Sequence, residues 1–169
     1  MKLIQGHKIS KFNRTLLAPK ATLQQPQTIP SFQWDSSPKI RVLLADAHAV
    51  ARQALVDAFT QDSLQIAGQA SSSEEALELA IRLLPDVVVM DSCMPDCDGI
   101  IVTREIHRLY PWIKILVLTY SEETELMWRS LEAEASDYLL KSTPPKEIVS
   151  TVRGLYHGVI RKKPQWYYS

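Results

Sequence analysis

The chain has 169 residues, 46% of them hydrophobic, and a formal net charge of zero, which suits one cored domain with extensions. The charge is uneven: residues 1–39 carry six basic residues (Lys2, Lys8, Lys11, Arg14, Lys20, Lys39) against Asp35, a net of +5, and the 13 basic and 18 acidic residues that follow give a net of −5. An acidic body argues against direct nucleic-acid binding, and no run of about 18 apolar residues exists to span a membrane.

Residues 1–38 read as a flexible basic tail, with Pro19, Pro26, Pro30 and Pro38 and the polar run Gln24-Gln25-Pro26-Gln27. Such a segment buries too little apolar surface to offset its ordering entropy. Phe12, Leu16, Leu17, Phe32 and Trp34 are the residues there that could dock on a surface. The tail lacks the apolar region of a secretory signal. Its shortage of acids is compatible with an organellar transit peptide, and its single Arg argues against one. A cytoplasmic location is the expectation. Cys93 and Cys97 lie four positions apart with no second Cys/His pair at zinc spacing. Reduced thiols are expected, with a disulfide across the loop as the alternative.

From residue 40 strands and helices alternate. Ile40–Ala45 is an apolar run, hence a buried strand. Residues 48–60 follow as a helix with Val50, Ala54, Leu55, Ala58 and Phe59 on its stripe. Residues 64–70 form a shorter, less apolar strand expected near an edge. Ser71–Ser73 offer caps to a helix that buries Ala76, Leu77, Ala80, Ile81 and Leu84 and stops at Pro85. Asp86–Asp91 is the third strand. Asp98-Gly99 opens the third helix, with Ile100, Ile101, Ile106 and Leu109 available to pack, and Pro111 closes it. Ile113–Leu118 is the fourth strand, residues 122–134 the fourth helix and Asp137–Leu140 the fifth strand. Thr143 can cap a last helix with Pro144 and Pro145 in its first turn; that helix carries Ile148, Val152, Leu155 and Tyr156.

Five strand–helix pairs argue for a doubly wound α/β fold, a five-stranded parallel sheet with helices on both faces. Right-handed crossovers make the flavodoxin-like strand order 2-1-3-4-5 the expected topology. In that order the tips of the first and third strands are neighbours, so Asp46 faces Asp91. The fourth strand ends at Thr119 and the fifth at Lys141. Two carboxylates together favour a hard divalent cation such as Mg²⁺ or Mn²⁺. A lysine and a threonine hydroxyl beside them can bind phosphoryl oxygens. A nucleophile, a cation and donors are the parts phosphoryl transfer needs.

On these residues the segment 40–157 resembles the receiver domain of bacterial response regulators in two-component signalling, most of all those preceding helix-turn-helix regulators. The resemblance rests on Leu44-Ala-Asp46 with His48, on Val89-Met-Asp91 followed by Met94-Pro95 and Asp98-Gly99, on Leu118-Thr119, and on Tyr138-Leu-Leu-Lys141. It implies that Asp91 is the phosphoacceptor, Lys141 its charge partner, and Thr119 and Tyr138 the switch pair. It implies Mg²⁺ on Asp46, Asp91 and the backbone carbonyl of Cys93. The implied domains are the tail 1–38, the receiver 39–158 and a short C-terminal tail 159–169. The implied partners are a histidine kinase or phosphotransfer protein and an output protein on the face around residues 120–157, with a homodimer left open. A receiver is a signalling module rather than an enzyme, beyond taking a phosphoryl group from a donor and losing it again.

Two residues depart from the family pattern. Receivers carry two adjacent acids after the first strand, and here the second is Ala47, which weakens the Mg²⁺ site. Tyr120 follows the switch threonine, where the family places a small residue. His48 beside Asp46 reads as a first-turn helix residue rather than a ligand, and Trp128 as either core or partner face. The run Arg161–Lys163 reads as a solvated tail. Only residues 158–169 follow the last helix, too few for the roughly 60 residues of a helical DNA reader, so a switch or docking module is expected. The alternative to a phosphoswitch is a pseudo-receiver that binds partners independently of phosphorylation because Ala47 replaces a metal-binding acid. An enzyme or flavin carrier on the same scaffold is a third reading. Ala47–Arg52 offers no phosphate-cradling loop for it.

Overall fold

A computed structural model describes residues 39–159. The expected tail 1–38, and the C-terminal tail 159–169 beyond its first residue, lie outside the described residues. Five strands alternate with five helices: β1 Arg41–Ala45, α1 Ala49–Gln61, β2 Gln65–Ala70, α2 Ser73–Leu83, β3 Val87–Asp91, α3 Gly99–Leu109, β4 Lys114–Thr119, α4 Thr124–Glu132, β5 Asp137–Leu140 and α5 Pro145–Tyr156. The sheet is parallel in the order β2-β1-β3-β4-β5, the expected flavodoxin-like topology, with β2 at an edge.

The pleat divides the core in two. Val42, Leu44, Val87, Val89, Leu116 and Leu118 point to a layer shared with Leu55 and Phe59 of α1 and Ile148, Val152 and Leu155 of α5. Leu43, Ala45, Val88, Met90, Ile115 and Val117 point to the opposite layer, with Ala76, Leu79 and Ala80 of α2 and Val102 and Ile106 of α3. A strand covered on both faces needs apolar residues through its length, which is why Val87–Met90 of β3 and Ile115–Leu118 of β4 are apolar throughout. Fully buried Phe59 anchors α1; its truncation to alanine is expected to cost about 3 kcal/mol.

Several apolar residues expected in the core face outward. Val50, Ala54, Ile81, Leu84 and Ile101 are exposed. The burial phase of α1 is set by Leu55 and Phe59, which puts Val50 on the far side of the helix. In α2 the buried stripe is Ser73, Ala76, Leu79 and Ala80, so Leu79 takes the place expected for Ile81. Leu84 leaves the stripe because it is the C-cap, with φ of 44°; the following Pro85 disfavours helical backbone there. In α3 the spacing Gly99, Val102, Thr103, Ile106 faces the sheet, and Ile101 falls opposite. Thr143 does not cap α5: the N-cap is Pro144, with no side-chain cap bond. The fourth helix is shorter than expected, and Ser130 is its one buried residue.

Among the described residues no helix is long and apolar enough to cross a membrane.

Candidate functional site

Register brings the polar strand ends together. β1 and β3 pair from Val42↔Val87 to Ala45↔Met90, which sets Asp46 beside Asp91 one step later. β3 and β4 pair through Asp91↔Leu118, and β4 and β5 through Thr119↔Leu140. The Lys141 N–H then donates to the Thr119 carbonyl at 2.6 Å, which fixes the base of the lysine side chain at the rim. This is the carboxyl edge of the sheet at its topological switch point, where open α/β folds bind ligands.

Lys141 clamps the two acids. Its Nζ donates to Asp46 Oδ2 at 2.6 Å and to Asp91 Oδ2 at 2.7 Å. The other oxygen of each acid accepts a backbone N–H, that of His48 on Asp46 Oδ1 at 2.8 Å and that of Cys93 on Asp91 Oδ1 at 2.9 Å. Asp46 is 3% and Asp91 2% exposed, so these bonds stabilise charges that burial alone would disfavour. Burial works against the Lys141 ammonium, but its bonds to Asp46 and Asp91 outweigh it and raise its pKa above the ordinary lysine value.

The loop between β3 and α3 is held at several points. The Asp96 carboxylate accepts from the N–H groups of Ser73 (2.8 Å) and Glu74 (3.0 Å), two of the otherwise unpaired donors at the start of α2. Those bonds hold its carboxyl below the usual range. The Ser73 hydroxyl donates to the Cys97 carbonyl at 2.8 Å. Asp98 caps α3 by accepting from Ile100 N–H at 2.9 Å. Gly99 is required by close approach, since a Cβ there would stand 2.0 Å from the Asp91 carbonyl oxygen. Cys93 and Cys97 are free thiols, as expected.

On the other side, buried Thr119 and half-buried Tyr138 converge on Ser121. Thr119 Oγ1 accepts from the Ser121 N–H at 3.1 Å, and the Tyr138 hydroxyl donates to the Ser121 carbonyl at 3.0 Å. Burial pushes the Tyr138 phenol up, a shift that the Thr119 hydroxyl opposes. Tyr120 turns back over the site: its ring centroid lies 4.9 Å from Lys141 Nζ, a cation–π contact. The same ring meets His48 edge-on at 6.1 Å. A cleft of about 220 Å³ opens beside it, bounded by Asp46, Lys141, Leu55, Pro144 and Ile148.

All six residues named from the sequence therefore fall on one rim: Asp46, Asp91, Lys141 and Thr119 at strand ends, Cys93 just past Asp91, and Tyr138 within β5. His48 is the N-cap of α1, one residue before the helix rather than within its first turn, and its ring stands against both acids. Nothing in the sequence pattern marks Asp96, whose partners are more than twenty positions away, or Arg129 of α4, which pairs with Asp98. Arg52, one turn into α1, donates to the Asp46 carbonyl; its position four residues after His48 was the available clue.

Receiver domains take Mg²⁺ at an acidic pocket. Here the residues offer two buried carboxylates with lone pairs left after the bonds above, and Ala47 adds none. The donor set thus fits a divalent cation with one oxygen ligand fewer than the family pattern has.

The fold and this rim define a class: a doubly wound sheet with an acid pair, a lysine and a threonine at its switch point. The family model of the response regulator receiver domain matches residues 42–153, and the chain belongs to that family. It is similar to response regulator GacA of Pseudomonas viridiflava, 39% identical over 127 residues, covering 75% of this chain and 59% of that protein. It is also similar to response regulator protein VraR of Staphylococcus aureus, 36% identical over 120 residues, covering 70% of this chain and 57% of that one. The chain thus spans less than two thirds of the length of these relatives. Among solved structures it resembles the signal receiver domain of NarL from Mycobacterium tuberculosis, at 32% identity and a TM-score of 0.67, covering 71% of this chain and 98% of that one. It also resembles a two-component response regulator of the LuxR family from Aurantimonas sp. SI85-9A1, at 27% identity and a TM-score of 0.70, covering 77% and 94%.

Proposed function

We propose that this receiver accepts a phosphoryl group on Asp91 from a histidine kinase or phosphotransfer protein and uses it to switch a protein-interaction surface. The observation that carries the reading is the Lys141 ammonium held on both Asp46 and Asp91 at the sheet's switch point. An Asp91 oxygen attacks phosphorus; the P–O bond forms as the P–N bond to the donor imidazole breaks, and the electron pair returns to that nitrogen. Lys141 and the Thr119 hydroxyl then bind the phosphoryl oxygens. Asp46, Asp91 and the Cys93 carbonyl are the groups that would hold Mg²⁺, which supplies charge neutralisation during transfer. Turning the Thr119 hydroxyl toward the new group takes it from Ser121 and disturbs the Tyr138 contact with the same residue. The surface around residues 120–157 shifts in response and presents itself to an output protein. Residues 39–158 make up the switch in this reading, with 1–38 and 159–169 as extensions.

A second reading is favoured by two observations: Ala47 supplies no ligand, and Tyr120 lies over Lys141. In it the domain is a pseudo-receiver that binds its partner independently of phosphorylation. Intact mass after incubation with acetyl phosphate and Mg²⁺ separates the two. The phosphoswitch predicts one adduct of about 80 Da that Asp91→Asn abolishes. No adduct in the natural chain, with one appearing in Ala47→Asp, favours the pseudo-receiver.

A further inference from the structure

Where the family pattern has its second acid this chain has Ala47, and the next residue is His48. Its Nδ1 stands 3.4 Å from Asp46 Oδ1 and 3.9 Å from Asp91 Oδ2. One donor atom from each of Asp46, His48 and Asp91 lies within 4.8 Å of the others. Ligands about 2.1 Å from a shared ion sit up to about 4.2 Å from one another. Both histidine distances already fall inside that limit, so closing the triad needs only a small movement of side chains.

Two further observations point to a cation there. Asp46 and Asp91 are both buried and share one ammonium, Lys141, which leaves one negative charge over. Arg52 reaches the same end of β1, but its guanidinium goes to the Asp46 carbonyl and to Gln69. The residue is also held at the site: its backbone N–H donates to Asp46 Oδ1, and its ring meets Tyr120 edge-on. The side chain is 60% exposed, so an ion can reach it from solvent.

We propose that His48 replaces the missing acid as the third side-chain ligand, and that the site therefore prefers a divalent first-row transition ion to Mg²⁺. An imidazole nitrogen is a poor ligand for hard Mg²⁺ and a good one for Co²⁺, Ni²⁺ or Zn²⁺. Each carboxylate has a second oxygen and spare lone pairs, so Lys141 keeps its bonds while the ion binds. The inference rests on the reading of this rim as a cation site and is independent of whether Asp91 is phosphorylated.

The test is calorimetric titration of the metal-free full chain with CoCl₂ and with MgCl₂, alongside the visible absorption of bound Co²⁺. The natural chain should bind Co²⁺ at least about tenfold more tightly than Mg²⁺, and His48→Ala and His48→Gln should each lose about tenfold in Co²⁺ affinity with Mg²⁺ affinity unchanged. Far-UV circular dichroism checks that both variants fold. Ala47→Asp should raise Mg²⁺ affinity. Unchanged Co²⁺ affinity in both His48 variants overturns the proposal, since any site on the three other histidines survives those substitutions. So does equal affinity of the natural chain for the two ions. A failed acetyl phosphate reaction in either ion counts against the phosphoswitch and leaves this result standing.

Discussion

The two flanks of the acid pair are built differently. On the β3–α3 side, Asp96 caps α2, Ser73 holds the Cys97 carbonyl, Asp98 caps α3, and Gly99 lies against the Asp91 carbonyl. On the β4–α4–β5 side, α4 has Ser130 as its one buried residue and its N-cap, Glu123, makes no side-chain cap bond. Thr119 and Tyr138 there both depend on the backbone of Ser121. The lesson is a division of labour. One flank fixes the position of Asp91, the proposed phosphoacceptor, and α4 on the other flank has few buried contacts to lose, as the proposed switching would require.

The contrast can be broken from the fixed flank first. Gly99→Ala sets a methyl against the Asp91 carbonyl, and backbone must move. It should destabilise the domain by about 3 kcal/mol in urea unfolding. Lys141→Met comes next, removing the one ammonium between two buried acids. All three side chains are almost wholly buried, so a loss of about 3 kcal/mol at neutral pH is expected. The same residue gives a pH signature. Its folded pKa is raised, so its contribution is complete below the ordinary lysine value and is lost as pH climbs above that value through the raised one. Natural protein should therefore lose stability in strong alkali by an amount that Lys141→Met does not.

Smaller effects sharpen the comparison on the responsive flank. Asp98→Asn keeps the cap on α3 but removes the ion pair with Arg129, a side-chain link between α3 and α4. Stability should fall by no more than about 0.5 kcal/mol, while amide exchange in α4 quickens and that in α3 does not. Tyr120→Ala uncovers Lys141. It should leave the urea midpoint nearly unchanged and raise the rate of adduct formation from acetyl phosphate severalfold. An unchanged rate would show that the Tyr120 ring over Lys141 does not hinder phosphoryl transfer.

How much of this could be read in the sequence follows the same physical divide. The sheet was legible because each inner strand is covered twice and shows it as four successive apolar residues (Val42–Ala45, Val87–Met90, Ile115–Leu118), and strict alternation leaves one common topology. The rim was legible because strand ends are fixed by those runs: once β1 neighbours β3, Asp46 must neighbour Asp91. Helix phase was less so. Ile81 and Ile101 are as apolar as their buried neighbours, and an isolated apolar residue on a surface carries no penalty large enough to mark it. Of the braces of the β3–α3 loop only the Asp98-Gly99 opening of α3 was legible, and the contacts between this loop and α2 were not. Asp96 looks like any loop acid until the fold carries the start of α2 beside it. Tyr120 was visible as a departure, but its ring position over Lys141 and against His48 depends on three separate loops.

In the proposed function, phosphorylation of Asp91 moves one flank and leaves the other in place. Hydrogen exchange followed by mass spectrometry, before and after acetyl phosphate treatment, tests it directly. Altered protection is expected in residues 120–140 and unchanged protection in residues 73–76 and 98–106, with the change in 120–140 absent in Asp91→Asn. An adduct that leaves residues 120–140 unchanged, or that alters both flanks alike, would contradict it.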